Sequence, residues 1–300
     1  MINLSVLVDE KTRVLIQGIT GKQGSYHTRR MLEYKMNVVA GVSPGKKGNR
    51  VSGVPVYNCV AEAVDSHRID ASLVMVPPPF VLEAASQAIN SRIPLVVIIT
   101  EHVPVHDTMR IRDLAISKNV MVVGPNTIGV ISPGKGKVGI MPGYIYSRGN
   151  VGVISRSGTL THEISSNLTF RGIGQSSCIG IGGDIVSGIG FVEALELFRN
   201  DPETEVVVLI GEIGGVGEEV AAKFISETCY PKPVVAFIAG LSAPEGKKMG
   251  HAGAIVGKNY GSAESKIETF RSSGVDVADT LDDILQIVGK IIKAESPGMP

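Results

Sequence analysis

Val14-Leu15-Ile16-Gln17-Gly18-Ile19-Thr20-Gly21-Lys22-Gln23-Gly24-Ser25-Tyr26-His27-Thr28 decides the fold. A continuous apolar run meets a glycine-rich turn and passes into a stretch of helical character. The pattern returns in Val151–Glu163, VGVISRSGTLTHE. Apolar runs that do not alternate with polar residues suit strands covered on both faces, the signature of a parallel sheet. Further runs fall at Asn37–Val42, Ala71–Val76, Leu95–Ile99 and Val120–Val123 in the first half. In the second half they fall at Asn150–Ser155, Ser176–Ile179, Glu205–Ile210, Val234–Ile238 and Val275–Val277. Helical stretches such as Phe80–Asn90, Phe191–Asn200 and Glu218–Thr228 lie between them as crossovers. Two successive parallel α/β domains follow, residues 1–124 and 150–300, with 125–149 as an irregular connector.

A chain of 300 residues can bury a core in each domain. Lysine plus arginine equals aspartate plus glutamate, 29 against 29, so the basic excess of a nucleic-acid binder is missing. Runs such as PLVVIIT are strand-length and too short to span a bilayer. The opening MINLSVLVDE has no positive n-region, so neither signal nor transit peptide is expected, and a cytoplasmic setting is (the mitochondrial matrix in a eukaryote). Cys59, Cys178 and Cys229 are odd in number and widely spaced, against a disulfide framework or a zinc site.

A helix that starts after a small-residue turn presents free N–H groups and a positive dipole end, so each half carries an anion cradle. In the first, Gly18, Gly21 and Gly24 form GxxGxxG. The second strand runs into Ser43-Pro44-Gly45-Lys46-Lys47-Gly48, a basic loop without the acid that an NAD ribose needs. That suits a phosphorylated ribose, as in coenzyme A or NADP. Tight turn geometry and a solvated basic loop are the alternatives without a ligand. Pro77-Pro78-Pro79 is a rigid loop at the same edge. In the second cradle, Ser157 or Thr159 can cap the helix.

Glu205–Ile210 runs into Gly211-Glu212-Ile213-Gly214-Gly215, which puts a carboxylate at a strand's carboxyl end. A buried carboxylate without a partner is costly, and His251 is its natural partner. His251 stands in Lys247-Lys248-Met249-Gly250-His251-Ala252-Gly253-Ala254-Ile255-Val256, where small neighbours keep both ring faces open. A carboxylate on Nδ1–H leaves Nε2 as a nucleophile, and about three quarters of an unperturbed imidazole is neutral at pH 7. A phosphoryl group on Nε2 can rest near Gly158. His102 and His106 are separated by Pro104, which argues against a metal pair on one helix, and His27 and His67 show no partner. His162 lies close to the second cradle.

GITGKQG, VSPGKKG, ITE at Ile99–Glu101, GPN, GIMPG, SRSGTLTHE, GIGGD, DPETEVVVLIGEIGG and KKMGHAGAI occur in the order seen in the succinate–CoA ligase (succinyl-CoA synthetase) α-subunit family. The chain resembles that family over nearly its whole length. The resemblance implies a Rossmann-like domain binding coenzyme A through Thr20, Gly21, Lys22, Gln23, Lys46, Ile99, Thr100 and Glu101, then a flavodoxin-like domain. It implies that His251 is phosphorylated with the support of Glu212. Ser157, Gly158 and Thr159 would open the helix that holds the phosphohistidine. It also implies a separate β subunit with an ATP-grasp domain that binds ATP or GTP with Mg²⁺. The implied role is succinyl-CoA formation in the tricarboxylic acid cycle.

The chain departs from the family at His162, where tyrosine is usual beside the acid substrate. It also departs at Thr127-Ile128 after GPN, at His102 after the Thr-Glu pair, and at Ile185 after GGD. Malate– and citrate–CoA ligases of the same superfamily are therefore alternatives, and an NADP-binding oxidoreductase is a more distant one.

Overall fold

A computed structural model describes residues 6–244, 246–257 and 260–295. It divides into two compact units, residues 1–143 with 186–189, and residues 144–185 with 190–300.

In the first unit the elements run β1 (Arg13–Gln17), α1 (Lys22–Glu33), β2 (Asn37–Val42), β3 (Arg50–Val51), β4 (Val54–Tyr57), α2 (Val60–Ser66) and β5 (Ala71–Val74). They continue with α3 (Val81–Asn90), β6 (Leu95–Ile98), α4 (Val105–Lys118), β7 (Met121–Val123), β8 (Gly129–Ser132) and β9 (Gly136–Gly139). The sheet order is β3-β4-β2-β1-β5-β6-β7, parallel except at the β3–β4 pair. Apart from edge strand β3, this is the doubly wound dinucleotide-fold order, with the strand order reversing between β1 and β5. Strands β5 and β6 are buried at every residue, which is why their sequences are unbroken apolar runs. Helix α3 buries Val81, Ala84, Ala85, Ala88 and Ile89, one stripe at helical spacing.

The second unit runs β10 (Arg148–Ser155), α5 (Gly158–Phe170), β11 (Gln175–Gly180), α6 (Phe191–Arg199), β12 (Val206–Glu212) and α7 (Gly217–Glu227). β13 (Val234–Ala239), α8 (Ala263–Ser272), β14 (Asp276–Ala278) and α9 (Leu281–Glu295) follow. Its parallel strands lie in the order β14-β13-β12-β10-β11, the flavodoxin-like arrangement. Phe198 of α6 fills the core over β10. A Cβ on Gly152 would stand 2.8 Å from its ring, so the strand needs glycine there.

The segment expected to be irregular contains the antiparallel hairpin β8–β9. Gly129 and Gly139 cross so closely that a Cβ on Gly129 would stand 2.6 Å from the Gly139 α-carbon. A hairpin whose crossing needs glycine at both strand ends carries the composition of a loop, which is why its sequence reads as one. His67 also departs from expectation: the Tyr57 hydroxyl lies 2.8 Å from its Nε2. No described helix is long and apolar enough to cross a membrane.

Candidate active site

Both cradles lie at carboxyl ends of sheets, where the strand order reverses. In the first unit, β1 ends at Gln17, whose side chain is tied to Ser72 and to the Ala84 carbonyl. Gly18 follows with φ +81°, and a Cβ there would stand 2.6 Å from the Met75 carbonyl oxygen. Only glycine combines that backbone with that approach. Gly24 lies under the same turn, 2.9 Å from the Gly18 carbonyl carbon if given a Cβ. Helix α1 therefore begins against the turn, and its N-cap Gly21 offers no side chain to its first N–H groups.

Beside this helix start is a cavity of about 480 Å³, lined among others by Thr20, Gly21, Pro44, Val76, Pro77 and Phe80. Thr20 Oγ1 donates to Ser43 Oγ at 2.9 Å, joining the turn to the basic loop. Lys22 and Gln23 stand exposed in the first turn of α1, and Lys46 is exposed on the loop. Neighbouring Lys47 pairs with Glu62 at 3.1 Å. Ile99, Thr100 and Glu101 do not line the cavity. Thr100 reaches its wall by donating to the Val76 carbonyl at 2.7 Å. Uncapped N–H groups, a basic loop and a largely apolar recess fit coenzyme A, which carries phosphates at one end and an apolar-walled arm at the other.

In the second unit, β10 and β12 pair in parallel through Ser155 and Ile210, and the strand order reverses between them. Beyond Ser155, Arg156 turns inward and Ser157 caps α5, accepting from the Leu160 N–H at 3.3 Å. Ser157 rather than Thr159 is the cap, and Thr159 is exposed on the helix. Strand β12 is buried at all seven residues and ends on Glu212. His251 Nδ1 lies 2.8 and 3.0 Å from the two Glu212 carboxylate oxygens. The predicted pair is therefore in contact. The histidine stretch forms a small hairpin: Met249 N–H donates to the Ala254 carbonyl, Gly246 N–H to the Val256 carbonyl, and Lys248 bridges Ile255.

Two expectations about His251 change. One ring face is not open: a Cβ on Gly183 would stand 2.6 Å from Nδ1, and the Gly253 N–H donates to the Gly183 carbonyl. GIGGD thus supplies a wall without side chains, which the sequence around His251 alone does not reveal. The imidazole also holds its proton more tightly than an ordinary histidine. The hydrogen bond to Glu212 raises its pKa, opposed by desolvation and by Arg156, with Asp184 adding in the upward direction. Less than three quarters is therefore neutral at pH 7.

Arg156, Glu218 and Lys266 are site residues the sequence reading missed. Arg156 Nε lies 3.5 Å from Glu212 Oε1, its Nη1 donates to the Gly214 carbonyl at 3.1 Å, and a Cβ on Gly253 would stand 2.5 Å from its Nη2. Glu218 and Lys266 form a wholly buried ion pair behind Glu212. The signal for Lys266 is its position between Ala263, Ile267 and Phe270 on the buried stripe of α8. His162 lies in α5 with its Nδ1 2.8 Å from the Tyr146 hydroxyl, and burial lowers its pKa.

The geometry agrees with comparisons to known proteins. The CoA binding domain family matches residues 9–102, and the CoA-ligase family matches residues 154–275. The succinate–CoA ligase [ADP-forming] subunit alpha of Methanothermobacter thermautotrophicus is 54% identical over 277 residues, 92% of this chain and 94% of that one. The Aquifex aeolicus protein of the same name is 49% identical over 292 residues, 97% and 95% of the two chains. The ATP citrate lyase of Methanothrix soehngenii, solved with citrate and coenzyme A, shares the fold at a TM-score of 0.90 and 22% identity. The match covers 99% of this chain, which spans 53% of that one. With its cavity, its histidine–carboxylate pair and these relatives, the chain belongs to the succinate–CoA ligase α-subunit family.

Proposed function

We propose that this chain is the α subunit of an ADP-forming succinate–CoA ligase and that His251 is its phosphoryl carrier. The observation that carries the assignment is the contact of His251 Nδ1 with Glu212 at the strand-order reversal, which directs the Nε2 lone pair away from the carboxylate. Nε2 attacks the γ-phosphorus of the nucleotide, the bond to the departing diphosphate breaks, and Glu212 holds the proton on Nδ1. A succinate carboxylate oxygen then takes the phosphoryl group and Nε2 recovers its lone pair. The thiolate of coenzyme A attacks the acyl carbon, and phosphate leaves.

The nucleotide and Mg²⁺ belong to a β subunit of ATP-grasp type, and the complex works in the cytoplasm. The names of the relatives support succinate and ADP formation. Ser157, Gly158 and Thr159 present the α5 N-terminus to the phosphorylated imidazole. In the first unit, Thr20, Gly21, Lys22, Gln23 and Lys46 meet the phosphates of coenzyme A. Ile99–Glu101 supports the cavity wall through Thr100.

The test is phosphorylation of the assembled, dephosphorylated αβ complex with γ-labelled ATP and, separately, GTP. Acid-labile label in wild type that is absent from His251→Ala and discharged by succinate plus coenzyme A is the expected result. Discharge by malate or citrate in place of succinate would reassign the acid. No label with either nucleotide would overturn the phosphoryl-carrier reading.

A further inference from the structure

Behind the His251–Glu212 contact stands a second group of charges. Glu218, at the start of α7, and Lys266, in α8, have no exposed surface and form an ion pair. Desolvating such a pair costs several kcal/mol per ion, so it persists only where further hydrogen bonds complete it. Those bonds converge on one turn. Lys266 Nζ donates to the Gly214 carbonyl at 2.7 Å, and Glu218 Oε1 accepts from the Glu212 backbone N–H at 3.1 Å. The pair therefore fixes both ends of the Glu212–Gly214 turn.

Arg156 connects this base to the reacting histidine. Its Nη1 lies 3.4 Å from Glu218 Oε1 and 3.1 Å from the Gly214 carbonyl, its Nε faces Glu212, and its Nη2 packs against Gly253. One planar guanidinium thus touches the end of β12, the start of α7 and the histidine hairpin. The charges acting on His251 are Glu212, Arg156 and Asp184 beyond β11, and behind them lie Glu218 and Glu219 of α7 and Lys266 of α8. Glu219, 4.0 Å from Lys266 Nζ, is pushed towards its neutral form by burial.

We propose that Arg156, anchored by the buried Glu218–Lys266 pair, is a positioning residue that shares the Glu212 carboxylate with His251, so that Glu212 orients the imidazole through Nδ1 while favouring a second proton on Nε2 less strongly than a lone carboxylate would. The proposal rests on the reading of His251 as phosphoryl acceptor. A lone carboxylate against Nδ1 favours the imidazolium, which has no lone pair at Nε2 and is not a nucleophile. A fixed cation on the same carboxylate oxygen offsets that preference while leaving the orienting hydrogen bond in place. The opposing effects of Glu212 and Arg156 on His251 have these signs.

The experiment follows the ring of His251 by NMR in the full-length, ¹⁵N-histidine-labelled chain across pH. Wild type is compared with Arg156→Gln and with the double variant Glu218→Gln/Lys266→Met, which removes both buried charges together. The expected result is a titration midpoint raised by about one pH unit in Arg156→Gln. Labelling in the αβ complex then falls about tenfold at a pH below both midpoints and converges on wild type above them. The double variant, whose arginine has lost its anchor, shifts the same way. It also keeps the test standing if Arg156→Gln does not fold. An unmoved midpoint in a folded variant overturns the proposal. A shift in Arg156→Gln without one in the double variant overturns the anchoring by Glu218 and Lys266. The titration is made on the unphosphorylated chain and needs no phosphoryl transfer, so failure of the carrier assignment appears separately, as wild type that takes no label.

Discussion

Gly183 lies against the imidazole of His251, with room for a hydrogen where any other residue would place a β-carbon 2.6 Å from Nδ1. Gly183→Ala must push either the ring or its own backbone aside. The ring is partly exposed and gives way first, leaving its alignment with Glu212. Phosphorylation of the complex should slow at least about tenfold, while the melting temperature falls by only a few degrees, as overpacking at a site with an open side costs about 1–3 kcal/mol. Rapid-quench labelling beside a thermal melt checks both.

The raised proton affinity of His251 makes stability depend on pH with a definite sign. Its pKa is higher folded than unfolded, so the His251–Glu212 contact contributes fully below the unfolded value of about 6.5 and is lost as pH rises through the folded value. Comparison of wild type with His251→Gln by thermal melts should show a wider gap at about pH 5.5 than at about pH 9. A gap of equal size at both, or wider at the alkaline end, would contradict the assignment.

The exposed ring of Phe80 tests the coenzyme A cavity. It borders the cavity and is 61% exposed, so the fold gains little from it. Phe80→Ala should weaken coenzyme A binding about fivefold, near 1 kcal/mol, without a measurable change in melting temperature. Isothermal titration of the full chain reads the first, calorimetric melting the second.

Removing one member of the buried pair differs from removing both. Lys266→Met alone takes from the buried Glu218 its nearer counter-charge, leaving only Arg156 at 3.4 Å, and should cost about 3–5 kcal/mol. Adding Glu218→Gln should return most of that loss, since a buried pair replaced by neutral groups of similar size is often near neutral. Denaturant unfolding of the two variants measures the difference.

The parallel strands were legible because burial on both faces forces continuous apolar runs, as in Val206–Ile210 and Leu95–Ile98. The short strands β3 and β4 and the β8–β9 hairpin were not. The first two are short, interrupted by Gly53 and Pro55, and the hairpin is bounded by glycines. Within the site, Glu212 and His251 could be paired because their chemistry is complementary and their neighbours are small. Glu218 and Lys266 resemble surface charges in sequence. Only the fold shows Glu218 packed beneath Gly211, where a Cβ would stand 2.6 Å from Glu218 Cγ. The spacing of Lys266 among Ala263, Ile267 and Phe270 was a readable sign of burial. Its partner was not readable, because the two are 48 positions apart with a whole strand between them.

Strand β12 joins the deepest core of its unit to the carboxylate that holds His251, with no exposed residue between Val206 and Glu212. A seven-residue strand spans about 23 Å, and close-packed interiors pass displacement along rather than absorb it. Tolerance to substitution in this unit should therefore not fade evenly with distance from the histidine. It should form a ridge along the strand, with Gly152 and Phe198 near its foot and Glu212 at its crest, so that a library scored for catalysis and one scored for folding would return nearly the same intolerant positions along that line.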